Sequence, residues 1–187
     1  EAHHRYHAEL LKIMRDLSAA CREELPRLNA SLSAVTEFDR YHMRARYADR
    51  IAAESPQVGG KRLSLRQARH PLLKEPVPIE LVFPPGKRLL IITGPNTGGK
   101  TVSLKTAGLL ALMNQFGLEL PVAPDSEVPV FDDVFADIGD EQSLEQNLST
   151  FSGHMQNMAA ILSSAGKKSL VLLDELGAGT DPAEGSA

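Results

Sequence analysis

Gly94-Pro95-Asn96-Thr97-Gly98-Gly99-Lys100-Thr101 follows directly on the apolar run Leu89-Leu90-Ile91-Ile92-Thr93, and this stretch decides the fold. It fits the phosphate-loop spacing G-x-x-x-x-G-K-[ST]. Glycines let backbone N–H groups close around phosphate oxygens in conformations that a Cβ forbids. On this reading residues 94–99 form the cradle, with Asn96 able to orient a γ-phosphate or an attacking water and Thr97 and Gly98 at its tip. Lys100 places its ammonium on the β- and γ-phosphates, the Thr101 hydroxyl ligates magnesium, and Val102 continues the first helical turn. The helix that follows turns its positive N-terminal end to the same anion. An apolar strand before the loop and a long helical pattern after it supply the context the motif requires, so ATP and Mg2+ are the expected ligands.

Outward from the loop, the pattern alternates strands and helices. Leu63-Ser64-Leu65, residues 79–83, 89–93, 128–135 and 169–174 read as strands, with Pro129 weakening the fourth. Residues 100–116 and the stripe Phe151, Met155, Met158, Ala159 and Leu162 read as helices. The first of these is apolar nearly all round, which predicts burial between layers. Such alternation predicts an α/β fold with a parallel sheet covered on both faces.

Residues 1–54 read differently. Leu10, Met14, Leu17, Cys21 and Leu25 recur at spacings of three and four, and Leu28, Leu32, Val35, Phe38, Ala45, Ala48 and Ala52 form a second stripe beyond Pro26. The proline predicts a break or a first helical turn, and the two stripes suggest a lever or coiled-coil hairpin with Cys21 buried in its seam. Ser55-Pro56-Gln57-Val58-Gly59-Gly60 is the expected boundary between a helical segment, 1–56, and a globular domain, 61–187.

Charge and cysteine content narrow the class. Residues 1–105 hold 18 Lys and Arg against 11 Asp and Glu, whereas residues 106–187 hold 2 against 13. A phosphate backbone needs cationic neutralisation, so a nucleic-acid contact would use the N-terminal half, whose charges equally fit a solvated helix face. One cysteine excludes an intrachain disulfide framework, and no apolar run is long enough to span a membrane. A cytoplasmic protein is expected. The chain starts without methionine and inside a helical pattern, and it reads as the middle of a longer protein.

The second chemical feature is Leu170-Val171-Leu172-Leu173-Asp174-Glu175. An apolar strand ending in Asp-Glu puts two carboxylates at the strand end where α/β folds bind ligands. Asp174 is expected to hold magnesium through water, and Glu175 to polarise the attacking water as the general base.

With these blocks in place the chain resembles the ATPase core of the MutS family. The resemblance rests on residues 94–101, on Phe135-Ala136-Asp137-Ile138-Gly139-Asp140-Glu141-Gln142-Ser143, on Leu148-Ser149-Thr150-Phe151 and on residues 172–182 (LLDELGAGTDP). Thr97, the Thr101-Val102 pair and the FADIGDEQS block resemble the second bacterial lineage, MutS-II, and Arg69-His70-Pro71 matches a segment upstream of the nucleotide site. The resemblance implies a P-loop ATPase of ABC type, preceded by lever helices and working as a homodimer with nucleotide sandwiched between subunits. Ser149 and Thr150 match the signature that grips the nucleotide of the other subunit, Gln142 matches a sensor near the metal, and residues 177–181 match the loop that crosses the interface. The family pattern continues to a strand ending in histidine and, in this lineage, a small nuclease-like domain. Two targets stay open at this point: branched or recombining DNA, with suppression of recombination, and stalled or collided ribosomes. A nucleotide kinase or transporter ATPase fits the ordered blocks poorly.

Overall fold

The computed structural model describes residues 2–95, 99–138 and 147–174, with residues 147–154 described by backbone alone. Along the chain run α1 (Ala2–Ile51), β1 (Gln57–Val58), β2 (Ser64–Ala68), β3 (Ile79–Val82), α2 (Lys100–Gln115), β4 (Glu127–Val128), β5 (Asp133–Asp137), α3 (Asn147–Ser164) and β6 (Ser169–Leu173). Two compact units divide between Arg46 and Tyr47. Among the described residues no helix is long and apolar enough to cross a membrane.

The first unit corrects the expected hairpin. α1 is one helix of 50 residues that passes through Pro26. Proline removes one N–H donor and crowds the carbonyl four residues back, yet the rest of a long hydrogen-bond ladder carries the helix past it. Residues 2–43 are all exposed, including Leu17, Leu28 and Phe38 of the two stripes. Cys21, expected to be buried, is exposed as well. The reason is common to all of them: the apolar face has no second helical layer among the described residues of its unit.

α1 ends in a cap normally built on glycine. Ala52 takes the left-handed conformation, φ 46°. Its N–H donates to the Asp49 carbonyl at 3.2 Å, and the Ala53 N–H donates to Ala48 at 2.9 Å, the paired bonds of a Schellman motif. The Arg69 guanidinium then donates to the Ala52 carbonyl at 2.7 Å. Beyond it Glu54 and Leu120 exchange backbone hydrogen bonds at 2.7 and 2.9 Å, and Gln57 N–H donates to Ser126 at 2.9 Å. The Ser-Pro-Gly-rich tract is thus fastened to the sheet along its length.

That sheet has four strands in the order β1-β4-β2-β3. β1 and β4 pair in parallel, and β2 pairs antiparallel with both β3 and β4. A bulge lies in β2 at Gln67, φ 48°, where the register shifts between Leu65 and Ala68. Glu80 on β3 accepts the Gln67 N–H at 3.0 Å and its side-chain amide at 2.8 Å. Those Gln67 donors hold the Glu80 carboxyl below its ordinary value. On β4 the Glu127 carboxylate accepts from Lys61 N–H at 2.6 Å and from Arg62 N–H and Nε, each at 3.3 Å. A Cβ on Gly60 would collide with that carboxylate, so glycine is what lets Glu127 reach the loop.

β5 and β6 form a separate parallel pair, in register from Asp133↔Ser169 to Asp137↔Leu173. Among the described residues the structure is therefore mixed α/β, with a four-stranded mixed sheet and a parallel pair where one parallel or mixed sheet with flanking helices was expected. Pro129 explains part of the difference. It cannot donate to a ladder, and the strand expected over residues 128–135 divides around it into β4 and β5, which join different sheets.

α2 packs against β3 of one sheet and β5 and β6 of the other. Ala107, Leu110, Ala111 and Met113 from α2 meet Leu65 and Leu81 from β2 and β3, and Leu170 and Leu172 from β6. Leu65, Leu110 and Leu120 are fully buried, each stabilising the fold by about 1.5–3 kcal/mol relative to exposure. Over residues 107–113 the burial of α2 matches the sequence expectation except at Leu112, which is 43% exposed. At Gly108 an added Cβ would come within 2.6 Å of a Leu172 methyl, so α2 lies close on β6.

Candidate phosphate and magnesium site

The phosphate loop reaches its place beside β6. Arg88 donates from its guanidinium to the Lys167 carbonyl at 2.9 Å, just before β6 begins. Thr101 lies beside Asp174, just after β6 ends. Residues 89–93 between these contacts form no strand, contrary to expectation. They keep a strand's alternation all the same: Leu90 and Ile92 pack on the core, while Leu89 and Ile91 are exposed. Among the described residues this segment joins no ladder, and the packing of Leu90 and Ile92 on the core carries it toward the loop.

Gly94 has φ 151° and Gly99 has φ 74°, both in the region where a Cβ is strained. Gly99 is also the N-cap of α2 and makes no side-chain cap hydrogen bond. Its carbonyl accepts the Ser103 N–H and the Ser103 hydroxyl, each at 2.9 Å, which starts the helix directly out of the loop. Glycine at this cap leaves the positive helix end uncovered by a side chain, as an anion site needs. Asn96, Thr97 and Gly98 lie outside the described residues.

Lys100 is the first residue of α2, and its ammonium donates to the Gly94 carbonyl at 2.8 Å, spanning the loop from end to end. Thr101 follows, and its hydroxyl donates to Asp174 Oδ2 at 2.6 Å across 73 residues of sequence. Two hard oxygen donors from separate elements thus meet at the foot of α2. A single carboxylate and a hydroxyl are the donor set by which Mg2+ is held when it keeps several waters and phosphate oxygens as its other ligands. The residues fit the ion. Val102, at 42% exposure, lies on the open side of the same turn.

The strand ends bring in a residue that sequence reasoning left inside a family block. Asp137 closes β5 opposite Leu173, and its carbonyl accepts the Asp174 N–H at 3.0 Å. Its carboxylate accepts from the Asn157 side-chain amide of α3 at 3.0 Å. No pattern in the sequence singled out Asn157; its position on the polar side of the Met155-Met158 stripe is the signal that was present.

Two residues upstream of the loop serve the fold. His70 accepts the Leu72 N–H at Nδ1 and the Leu73 N–H at its carbonyl, so it holds a turn. Phe83 packs on the core. The α3 backbone begins at Asn147 and includes positions 149 and 150, whose side chains lie outside the described residues, as do Gln142, Glu175 and residues 177–182.

Residues 90–187 match the family model of MutS domain V. The chain is 53% identical over 181 residues to a protein named endonuclease MutS2 from Pelotomaculum thermopropionicum, covering 96% of this chain and 23% of that protein. Proteins of the same name from Shouchella clausii and Geobacillus thermodenitrificans are each 50% identical, over 182 and 190 residues, covering 96% and 100% of this chain. The chain spans about a quarter of the length of these relatives, 23% and 24% respectively.

Proposed function

The chain belongs to the MutS family, and from that premise we propose that it is the ATP-binding and ATP-hydrolysing core of a MutS-II protein. In this reading residues 61–187 are an ABC-type P-loop domain and residues 1–56 a helical lever that feeds it. The observation that supports it most directly is the 2.6 Å hydrogen bond from Thr101 to Asp174. It joins the phosphate-loop helix to the end of an apolar strand, where a magnesium nucleotide requires both.

Each residue then has a physical task. Lys100, now on the Gly94 carbonyl, exchanges that partner for the β- and γ-phosphates, so its charge is already aimed into the loop. Thr101 and Asp174 hold Mg2+, which when bound offsets the charge shared by the β- and γ-phosphates. The N–H groups of the loop and the first turn of α2 take the remaining phosphate oxygens. Glu175 follows Asp174 directly and acts as general base toward the attacking water. Ser149 and Thr150 complete the nucleotide site of a partner subunit, so ATP closes a homodimer.

The target of that closure is branched or recombining DNA, with the parent protein also cleaving nucleic acid, as the name of its relatives states. ATP turnover and nucleotide binding by the full-length protein test the chemistry. Lys100→Ala loses nucleotide binding. Glu175→Ala keeps binding and loses turnover by about a hundredfold or more, the usual contribution of a general base. Normal turnover by Glu175→Ala would remove it from this role. ATP-dependent retention on junction DNA supports the DNA target, and retention on purified ribosomes instead replaces it.

A further inference from the structure

Four hydrogen-bonding positions form one line across the strand ends. Thr101 of α2 donates to the Asp174 carboxylate, the Asp174 N–H donates to the Asp137 carbonyl, and the Asn157 amide of α3 donates to the Asp137 carboxylate. The three bonds measure 2.6, 3.0 and 3.0 Å. Each end of the line lies on a helix, and the middle lies on neighbouring strand ends held in register by the β5–β6 ladder. Asp137 thus serves two elements at once, through its carbonyl to the backbone N–H of Asp174 and through its side chain to α3.

We propose that Asp137 and Asn157 are positioning residues that couple α3 to the magnesium-side carboxylate. Asn157 fixes the height of α3 along the β5 end, because an amide-to-carboxylate bond tolerates little axial sliding before its geometry fails. Position 150 lies seven residues earlier in the same helix, two turns nearer its N-terminus. A shift of α3 is therefore transmitted through Asp137 to the Asp174 N–H, and a shift of Asp174 on metal loading is transmitted back. β-strand pairing holds β5 and β6 together and α3 packs against β5 with Ile161 buried, to which the Asn157 bond adds a directional polar contact. Asn157 is exposed and Asp137 half-buried, and neither belongs to the apolar core, so their mutual bond serves alignment.

The inference rests on the ATPase reading, and its test separates the two. In the full-length protein Asn157→Ala should lower kcat for ATP about fivefold, with nucleotide affinity and melting temperature within error of the parent, since one exposed hydrogen bond is lost. Asn157→Asp opposes two carboxylates and should lose at least as much. The exchanged pair, Asp137→Asn with Asn157→Asp, restores donor and acceptor in reverse order and should return kcat to within about twofold. A readout without turnover is amide exchange of the peptide containing Asp174, which should quicken in Asn157→Ala and recover in the exchanged pair. Unchanged exchange at Asp174 in Asn157→Ala, or no recovery in the exchanged pair, overturns the coupling. Restored exchange in a protein whose parent shows no ATP turnover upholds the coupling and refutes the ATPase reading alone.

Discussion

At the scale of single residues, the site depends on small groups placed where larger ones would fail. Thr101 supplies a hydroxyl that donates to Asp174 at 2.6 Å. Thr101→Val keeps the shape and deletes the donor. It should cost about 1 kcal/mol in stability, as a hydrogen bond to a partly solvated carboxylate does. Its sharper effect is on the metal: the Mg2+ concentration that supports half-maximal ATP turnover should rise severalfold, while Thr101→Ser stays near the parent. Equal magnesium requirements for Thr101→Val and the parent would take Thr101 out of the metal site. The placement of these residues was legible because it depends on a local rule. A glycine at the helix cap, a lysine and a hydroxyl at fixed spacing need only the backbone of one loop to be meaningful. Asn157 was not legible, since its partner Asp137 lies 20 residues away and nothing in a helical stripe announces a polar contact across the layer.

At the scale of elements, local pattern and tertiary setting compete. The α2 pattern was unambiguous, and the helix ends at Gln115, one residue from the expected limit. The α1 pattern held an ambiguity at Pro26, and the helix passes through it because one missing donor is a small part of a 50-residue ladder. Residues 89–93 failed in the opposite direction: their β-branched and leucine-rich run predicts a strand, but pairing is a property of neighbours that the run itself does not contain. The end of α1 gives a test of local reasoning. Ala52 occupies a left-handed position, φ 46°, that glycine adopts without strain. Ala52→Gly keeps the Arg69 bond, which goes to the backbone carbonyl. Relief of the Cβ strain outweighs the entropy glycine adds to the unfolded chain, and the variant should be more stable by about 0.5–1 kcal/mol. A urea midpoint below that of the parent would show that the Ala52 methyl makes a compensating contact.

At the scale of the whole molecule, carboxylates on the four-stranded sheet set its response to acid. Glu80 fastens the β2 bulge to β3, and Glu127 fastens the loop at Lys61 and Arg62 to β4. Partial desolvation pushes the Glu127 carboxyl up, but the Lys61 and Arg62 donors outweigh it, and both glutamates end below their ordinary value of 4.5. A folded-state value below the unfolded one means that the contribution is fully present above pH 4.5 and disappears as pH falls through the folded value. The chain adds a second term of the same sign. Its 24 acidic residues against 20 basic ones leave a net charge of −4 at pH 7, and protonating the acids turns this into a large positive charge that repels itself. Stability measured as the urea midpoint should therefore hold between pH 7 and 5 and fall steeply below 4.5. Glu80→Gln and Glu127→Gln should be less stable than the parent at pH 7 and converge on it as pH falls, because the parent loses the same bonds by protonation. Substitution of exposed acids that make no such bonds, for example Glu75→Gln, should leave the slope unchanged. Parallel curves for parent and Glu127→Gln would mean that global charge alone governs acid unfolding. The distinction matters for the site, because β4 and β2 carry core residues against α2, and α2 carries Lys100 and Thr101. Acid that frees Glu127 and Glu80 therefore loosens the support of the phosphate-loop helix.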